Sequence, residues 1–127
     1  MKLTIIRGVP GSGKSTLAKK IDAIQVEADQ FAKDNFGEYC WEIKKSGYYH
    51  KKCFEKCENL LSEGTSVVCS NTFIKNSYIE PYFQLAKKYN ADFEVIEAKG
   101  DFNSIHVSLQ IINKMRTEFE QLDAKFI

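Results

Sequence analysis

Arginine is the scarcest charged residue in this 127-residue chain: of its eighteen lysine and arginine residues only Arg7 and Arg116 are arginines. A site built on several guanidinium forks is therefore excluded, and cationic work falls to lysines and backbone N–H groups. A dominant charge sign is also lacking, since eighteen basic residues against seventeen acidic ones leave a net charge of +1. No chain-wide field then draws in nucleic acid or a membrane, and any contact with a polyanion must be local. No apolar run reaches transmembrane length, and no leader-like segment opens the sequence. The four cysteines, Cys40, Cys53, Cys57 and Cys69, show no C-x-x-C spacing. Reduced thiols in a cytoplasmic protein are expected. Cys53 and Cys57 stand four apart and could share a helix face as a metal or redox pair, although no third or fourth ligand is evident from spacing. Repeats, linkers and low-complexity tracts are absent, so residues 1–127 read as one domain.

What is present is concentrated at the start. Leu3, Thr4, Ile5 and Ile6 form a short apolar run of strand type, which breaks into glycines and turns helical at Thr16 and Leu17. Gly8, Gly13, Lys14 and Ser15 match G-x-x-x-x-G-K-[ST], the phosphate-binding P-loop. Glycines let successive backbone N–H groups turn inward around the phosphates of a nucleotide. Lys14 would reach the β- and γ-phosphates, and the Ser15 hydroxyl would ligate Mg²⁺. The expected nucleotide contacts are Gly8, Pro10, Gly11, Ser12, Gly13, Lys14, Ser15 and Thr16, with ATP and Mg²⁺ as ligands. The N-terminus of the following helix should add its dipole.

Further along, residues 24–28 alternate as a second strand that delivers Asp29 to its carboxyl end, the edge where open parallel sheets bind ligands. Asp29 is thus a candidate to touch the substrate, or an N-cap for the segment at 30–35. A long helix is expected over 43–62, with Gly47 as its break. Its Lys44, Lys45, Lys51, Lys52 and Lys56, interleaved with Tyr48, Tyr49 and Phe54, read either as a surface for single-stranded nucleic acid or as a solvated face with core aromatics. His50 on this helix could orient a substrate or simply pack. Residues 65–69 form a β-branched strand running into Ser70, Asn71 and Thr72, which would line the ligand edge or make a plain turn. Helices at 75–89 and 108–122, a strand at 92–97 and a polar loop at 99–106 complete the pattern. Strand and helix alternate throughout, which predicts an α/β fold with a mostly parallel sheet of four or five strands flanked by helices.

GVPGSGKST, EADQF, the His50 to Cys53 step, SNTF, Ser104-Ile105-His106 and KMRTEFE together resemble the small AAA-type P-loop ATPases related to phage polynucleotide kinase. The resemblance runs over nearly the whole length. It implies a kinase-like P-loop NTPase fold, ATP with Mg²⁺, and transfer of the γ-phosphate to a hydroxyl, best known for 5′-hydroxyl ends of nucleic acid. It casts Lys14 and Asp29 as catalytic, with Asp29 accepting the proton of the attacking hydroxyl, and His50, Asn71 and Thr72 as substrate contacts. Three features depart from it, the first being that relatives tend to read N-I-H-G-V-P where this chain has Ser104-Ile105-His106-Val107-Ser108, one residue short. Ser70 stands where relatives often carry Asp, and no arginine lies between Gly100 and Lys114, where polynucleotide kinases place lid arginines. Lys99, His106 or Arg116 would have to serve instead. A nucleotide-dependent ATPase switch, or a module that only binds nucleotide, is the alternative function.

Overall fold

The structure is a computed structural model describing residues 1–100 and 107–127. Strands β1 (Lys2–Arg7), β2 (Ile24–Val26), β3 (Val67–Asn71) and β4 (Asp92–Glu97) form one sheet in the order β2-β3-β1-β4. All the pairings are parallel, with Ile5 opposite Cys69 on one side and Val95 on the other. β1 and β3 lie in the middle, which explains their unbroken burial from Leu3 to Arg7 and from Val67 to Asn71. The expected α/β architecture is thus the observed one, with four strands. Among the described residues no helix is long and apolar enough to cross a membrane.

Helices α1 (Lys14–Ala18), α2 (Ser46–Ser62), α3 (Asn76–Lys88) and α4 (Leu109–Glu118) flank the sheet. α2 buries Tyr49, Cys53, Cys57 and Leu61, each one turn after the last, and α3 buries Ile79, Tyr82, Leu85 and Ala86. Both stripes pack with Leu3, Ile5, Val67 and Cys69 in the larger core. The opposite face carries a smaller cluster of Ile6, Ala18, Val68 and Ala98. The break expected at Gly47 falls earlier: Ile43–Lys45 is a separate 3-10 turn, and Gly47 lies in the first turn of an uninterrupted α2. The Cys53–Cys57 pair gains a third thiol, because β3 brings Cys69 Sγ within 3.6 Å of Cys53 Sγ. Hydrogen bonding from Cys57 and then Cys69 pushes the Cys53 thiol down. Burial pushes Cys69 up.

α4 is shorter than expected, and its stripe differs. Ser108 caps it, accepting from Ile111 N at 3.4 Å, but Ile112 is its buried residue and Leu109 is exposed. The chain leaves the helix after Glu118 because a stronger partner competes for the next residues. Glu120 N donates to the Ile74 carbonyl at 2.8 Å, and the Glu120 carbonyl accepts from Arg7 Nη2 at 2.8 Å. Phe119 lies over the same guanidinium, 4.1 Å from its ring centroid.

Arg7 is wholly buried. Its Nε and Nη2 donate to the Phe73 carbonyl at 3.1 and 3.0 Å, and Glu97 stands 3.7 Å from Nη1. Burial pushes the guanidinium below its ordinary pKa, while Glu97 and then Glu120 act the other way. Phe73 adopts φ 44°, a left-handed conformation unfavourable to a bulky residue, and thereby aims its carbonyl at the cation. Truncating Arg7 would strand the Phe73 and Glu120 carbonyls and remove one of the two cations beside Glu97. Arg7→Met should cost roughly 3 kcal/mol or more in chemical denaturation. Arg7→Lys, which loses the fork, should recover only part.

Candidate functional site

The loop between β1 and α1 has the backbone its motif requires. Gly11 and Gly13 sit at φ 83° and 91°, where a side chain is disfavoured. Gly8 is required by proximity instead: a Cβ there would lie 2.3 Å from Ser12 Oγ and 2.9 Å from the Ala98 carbonyl. The loop is moored on both sides, since Gly8 N donates to the Thr72 carbonyl at 3.2 Å and Gly100 N to the Ser12 carbonyl at 3.0 Å. α1 has only five residues, so the anion field must come mainly from the loop amides rather than from a long helix dipole.

Lys14 folds back over the loop, donating to the Val9 carbonyl at 3.1 Å. Burial pushes its ammonium below the ordinary lysine value, and the charges of Asp29 and then Glu27 oppose that shift. Ser15 Oγ donates to Glu27 Oε1 at 2.7 Å. Pro10 lies in the turn before Gly11, and Thr16 is exposed beside Ser15 on α1.

Glu27 is the residue the sequence reading missed. It counted only as a polar position in an alternating strand, while an acidic group was sought at position 70. Ser70 is buried there, and its Oγ has no hydrogen-bond partner among the described residues. The carboxylate beside the P-loop hydroxyl comes instead from the end of β2. Its signal was available in the EADQF stretch, where two carboxylates stand two residues apart at a strand terminus. A hydroxyl and a carboxylate oxygen are hard donors of the kind Mg²⁺ takes alongside phosphate oxygens and water, so Ser15 and Glu27 fit that ion.

Asp29 is exposed in the 3-10 turn Ala28–Phe31 and accepts from Tyr39 Oη at 3.4 Å. Burial, followed by the Asp29 charge, pushes the Tyr39 phenol up to about 12, which keeps it a donor. Asp29 is no N-cap: Glu27 holds that position, and without a side-chain bond. The turn is fixed by Asn71, whose Oδ1 accepts from Ala28 N at 2.9 Å.

Beyond Asn71 opens a cavity of about 580 Å³ between α2 and α3. His50, Asn71 and Thr72 all line it, together with Lys51, Tyr78 and Tyr82; Asp29 is not among its lining residues. The long lysine-rich helix divides its roles. Tyr49 is core, whereas Lys44, Lys45, Lys51 and Lys56 are exposed, as is Tyr48. Lys52 is half-buried, pairing with Glu55 at 3.7 Å. A second, smaller cleft of about 180 Å³ is lined by Gly8, Val9, Ala98, Glu97, Phe119 and Arg116. Arg116 therefore borders the P-loop from α4. His106 lies outside the described residues, and Lys99 pairs with Glu97 at 3.5 Å.

A protein-family profile described as an AAA domain matches residues 3–122. The chain belongs to this family. Among solved structures, this AAA domain is similar to a chain of the Pnkp1/Rnl/Hen1 RNA repair complex, with a TM-score of 0.68 and 23% identity over 93% of this chain and 43% of that one. A second structure of the Pnkp1/Rnl/Hen1 complex gives 0.64 and 24% over 97% and 41%. The Mycobacterium tuberculosis APS kinase CysC, in complex with AMPPNP and APS, gives 0.57 and 15% over 89% and 66%. At such identities the likeness is one of fold, that of the P-loop kinases. The AAA domain spans about two fifths of the matched Pnkp1/Rnl/Hen1 chains.

Two substitutions test the geometry. In wild type, Mg·ATP at a hundredfold excess over its Kd should raise stability by about 2.7 kcal/mol in thermal unfolding. Gly8→Ala should abolish that gain, because its Cβ cannot coexist with Ser12 and the Ala98 carbonyl in this loop. Glu27→Gln should weaken Mn²⁺ binding to the nucleotide-loaded protein, read by electron paramagnetic resonance, by roughly tenfold or more, while leaving metal-free nucleotide binding intact.

Proposed function

We propose that this AAA domain is an ATP-dependent phosphotransferase that moves the γ-phosphate to a hydroxyl acceptor, with the 5′-hydroxyl end of a polynucleotide as the leading acceptor. One observation carries the reading: Lys14 and Ser15 of the phosphate loop are met by the carboxylates Glu27 and Asp29 at the carboxyl edge of β2. Acidic neighbours repel a bare polyphosphate, so their place beside the loop fits a site that also holds a metal ion. A transferase needs one group to hold metal and another to take a proton.

The loop amides and Lys14 hold the β- and γ-phosphates in place. Ser15 and Glu27 would hold Mg²⁺, which would supply charge neutralisation on the phosphate oxygens. Asp29, open to solvent, accepts the proton of the acceptor hydroxyl as that oxygen attacks phosphorus in line. The bond to the β,γ-bridging oxygen breaks, and ADP leaves. Positioning by the loop and by the Asn71-anchored turn supplies most of the rate. The aromatic rings and Lys51 of the 580 Å³ cavity suit a ring-bearing, anionic acceptor such as a nucleotide unit.

With labelled ATP and a panel of hydroxyl acceptors, wild type should label an acceptor, oligonucleotides with free 5′-hydroxyls foremost. Asp29→Asn should cut transfer by about 10²-fold or more with ATP affinity unchanged. Retention of full transfer in that variant removes Asp29 from the chemistry. The absence of arginine between Gly100 and Lys114 favours a second reading, a slow ATPase switch. That protein would release phosphate slowly and label no acceptor. If Lys51 contacts a phosphate, Lys51→Gln should flatten the salt dependence of single-stranded oligonucleotide binding by about 0.7 in log–log slope.

A further inference from the structure

Three thiols that the proposed transfer does not use converge in the core. Cys53 and Cys57 project from successive turns of α2 and Cys69 from β3, and their sulfur atoms all lie within 4.8 Å of one another. None of the three is exposed at all. Buried cysteine is common as a small apolar filler, and filler cysteine asks for no polar neighbours. Here two side chains supply donors to the sulfurs. Asn71 Nδ2 donates to Cys53 Sγ at 3.5 Å and to Cys69 Sγ at 3.6 Å, and Tyr82 Oη donates to Cys53 Sγ at 3.7 Å. Donors directed onto sulfur stabilise it as thiolate, the form that ligates metals, and constitute the supporting shell such sites require.

We propose that Cys53, Cys57 and Cys69 form a three-coordinate site for a soft, thiophilic metal ion, copper(I) being the ion that fits. Metal–thiolate bonds of about 2.3 Å put three sulfurs around a trigonal ion at about 4 Å from each other. The observed spacing, from 3.6 Å up to the 4.8 Å limit, brackets that value. Structural zinc is almost always four-coordinate, and these three buried sulfurs leave no solvent from which to draw a fourth ligand. Thiolate ligands select copper(I), and three sulfurs satisfy it. Binding displaces one proton to solvent for each thiol that becomes thiolate, and the copper stays in the +1 state, so no electron is exchanged. Asn71 and Tyr82, the two side chains that donate to the sulfurs, also line the 580 Å³ cavity. Asn71 Oδ1 also accepts from Ala28 N, which ties the thiol cluster to the turn bearing Asp29 through one side-chain amide.

The test is a titration of the reduced protein with copper(I) under anaerobic conditions, against a chromogenic copper(I) chelator. One ion per chain should be withheld from the chelator, with a sulfur-to-copper charge-transfer band in the ultraviolet. Cys57→Ala, Cys53→Ala and Cys69→Ala should each lower retention by at least tenfold, while Cys40→Ala leaves it unchanged. Thermal unfolding of each variant with and without copper(I) guards against misfolding, since a folded variant that loses the copper-dependent rise in Tm still supports the site. Complete loss of the ion to the chelator overturns the proposal. So does retention unaffected by Cys57→Ala in a folded protein, or tighter retention of zinc than of copper(I).

Discussion

A single buried guanidinium sets the frame. Arg7 closes β1 at the point where the phosphate loop begins, and water is excluded from it. A charge in that position must be surrounded by acceptors, because an unmatched one costs several kcal/mol. The fold brings it the Phe73 and Ile74 carbonyls from the exit of β3, the Glu120 carbonyl from beyond α4, the Phe119 ring and the Glu97 carboxylate. Three otherwise separate segments are thereby tied to the root of the loop. The same demand accounts for the left-handed Phe73 and for the early end of α4. It also occupies one of the two arginines in the chain as a structural latch, while the other, Arg116, borders the phosphate loop from α4.

A second tie sets the ligand edge. Asn71 ends β3, and its side-chain Oδ1 accepts from Ala28 N, which places the turn after β2 against the turn after β3. Glu27 and Asp29 then stand over the loop instead of swinging free. Their charges oppose the desolvation of the Lys14 ammonium, which donates to the Val9 carbonyl of its own loop. An arriving polyphosphate would replace that contact with stronger, charge-assisted ones.

Charge and apolar surface are kept apart around the 580 Å³ cavity. Its base is Phe73 and Tyr82, rings stacked edge-to-face at 5.3 Å, while Lys51 and His50 stand on α2 facing solvent. The same division runs along the lysine-rich helix. Its Tyr49 and thiols serve the core, its exposed lysines and Tyr48 face solvent, and of these Lys51 lines the cavity.

Local pattern was enough for several features of this AAA domain. The glycine spacing from Gly8 to Gly13, the lysine and hydroxyl that follow, the parallel α/β order and the presence of Asp29 at a strand end were all legible, because each depends on neighbours a few residues away. Other features are legible only in three dimensions. That Glu27 meets Ser15, that Cys69 joins Cys53 and Cys57, that Asn71 links two turns, and that Arg7 shortens α4 all rest on pairs separated by 12 to 113 residues. Such partners are selected by strand order and by the need to satisfy buried polar groups, and neither quantity is written in the periodicity of any one segment.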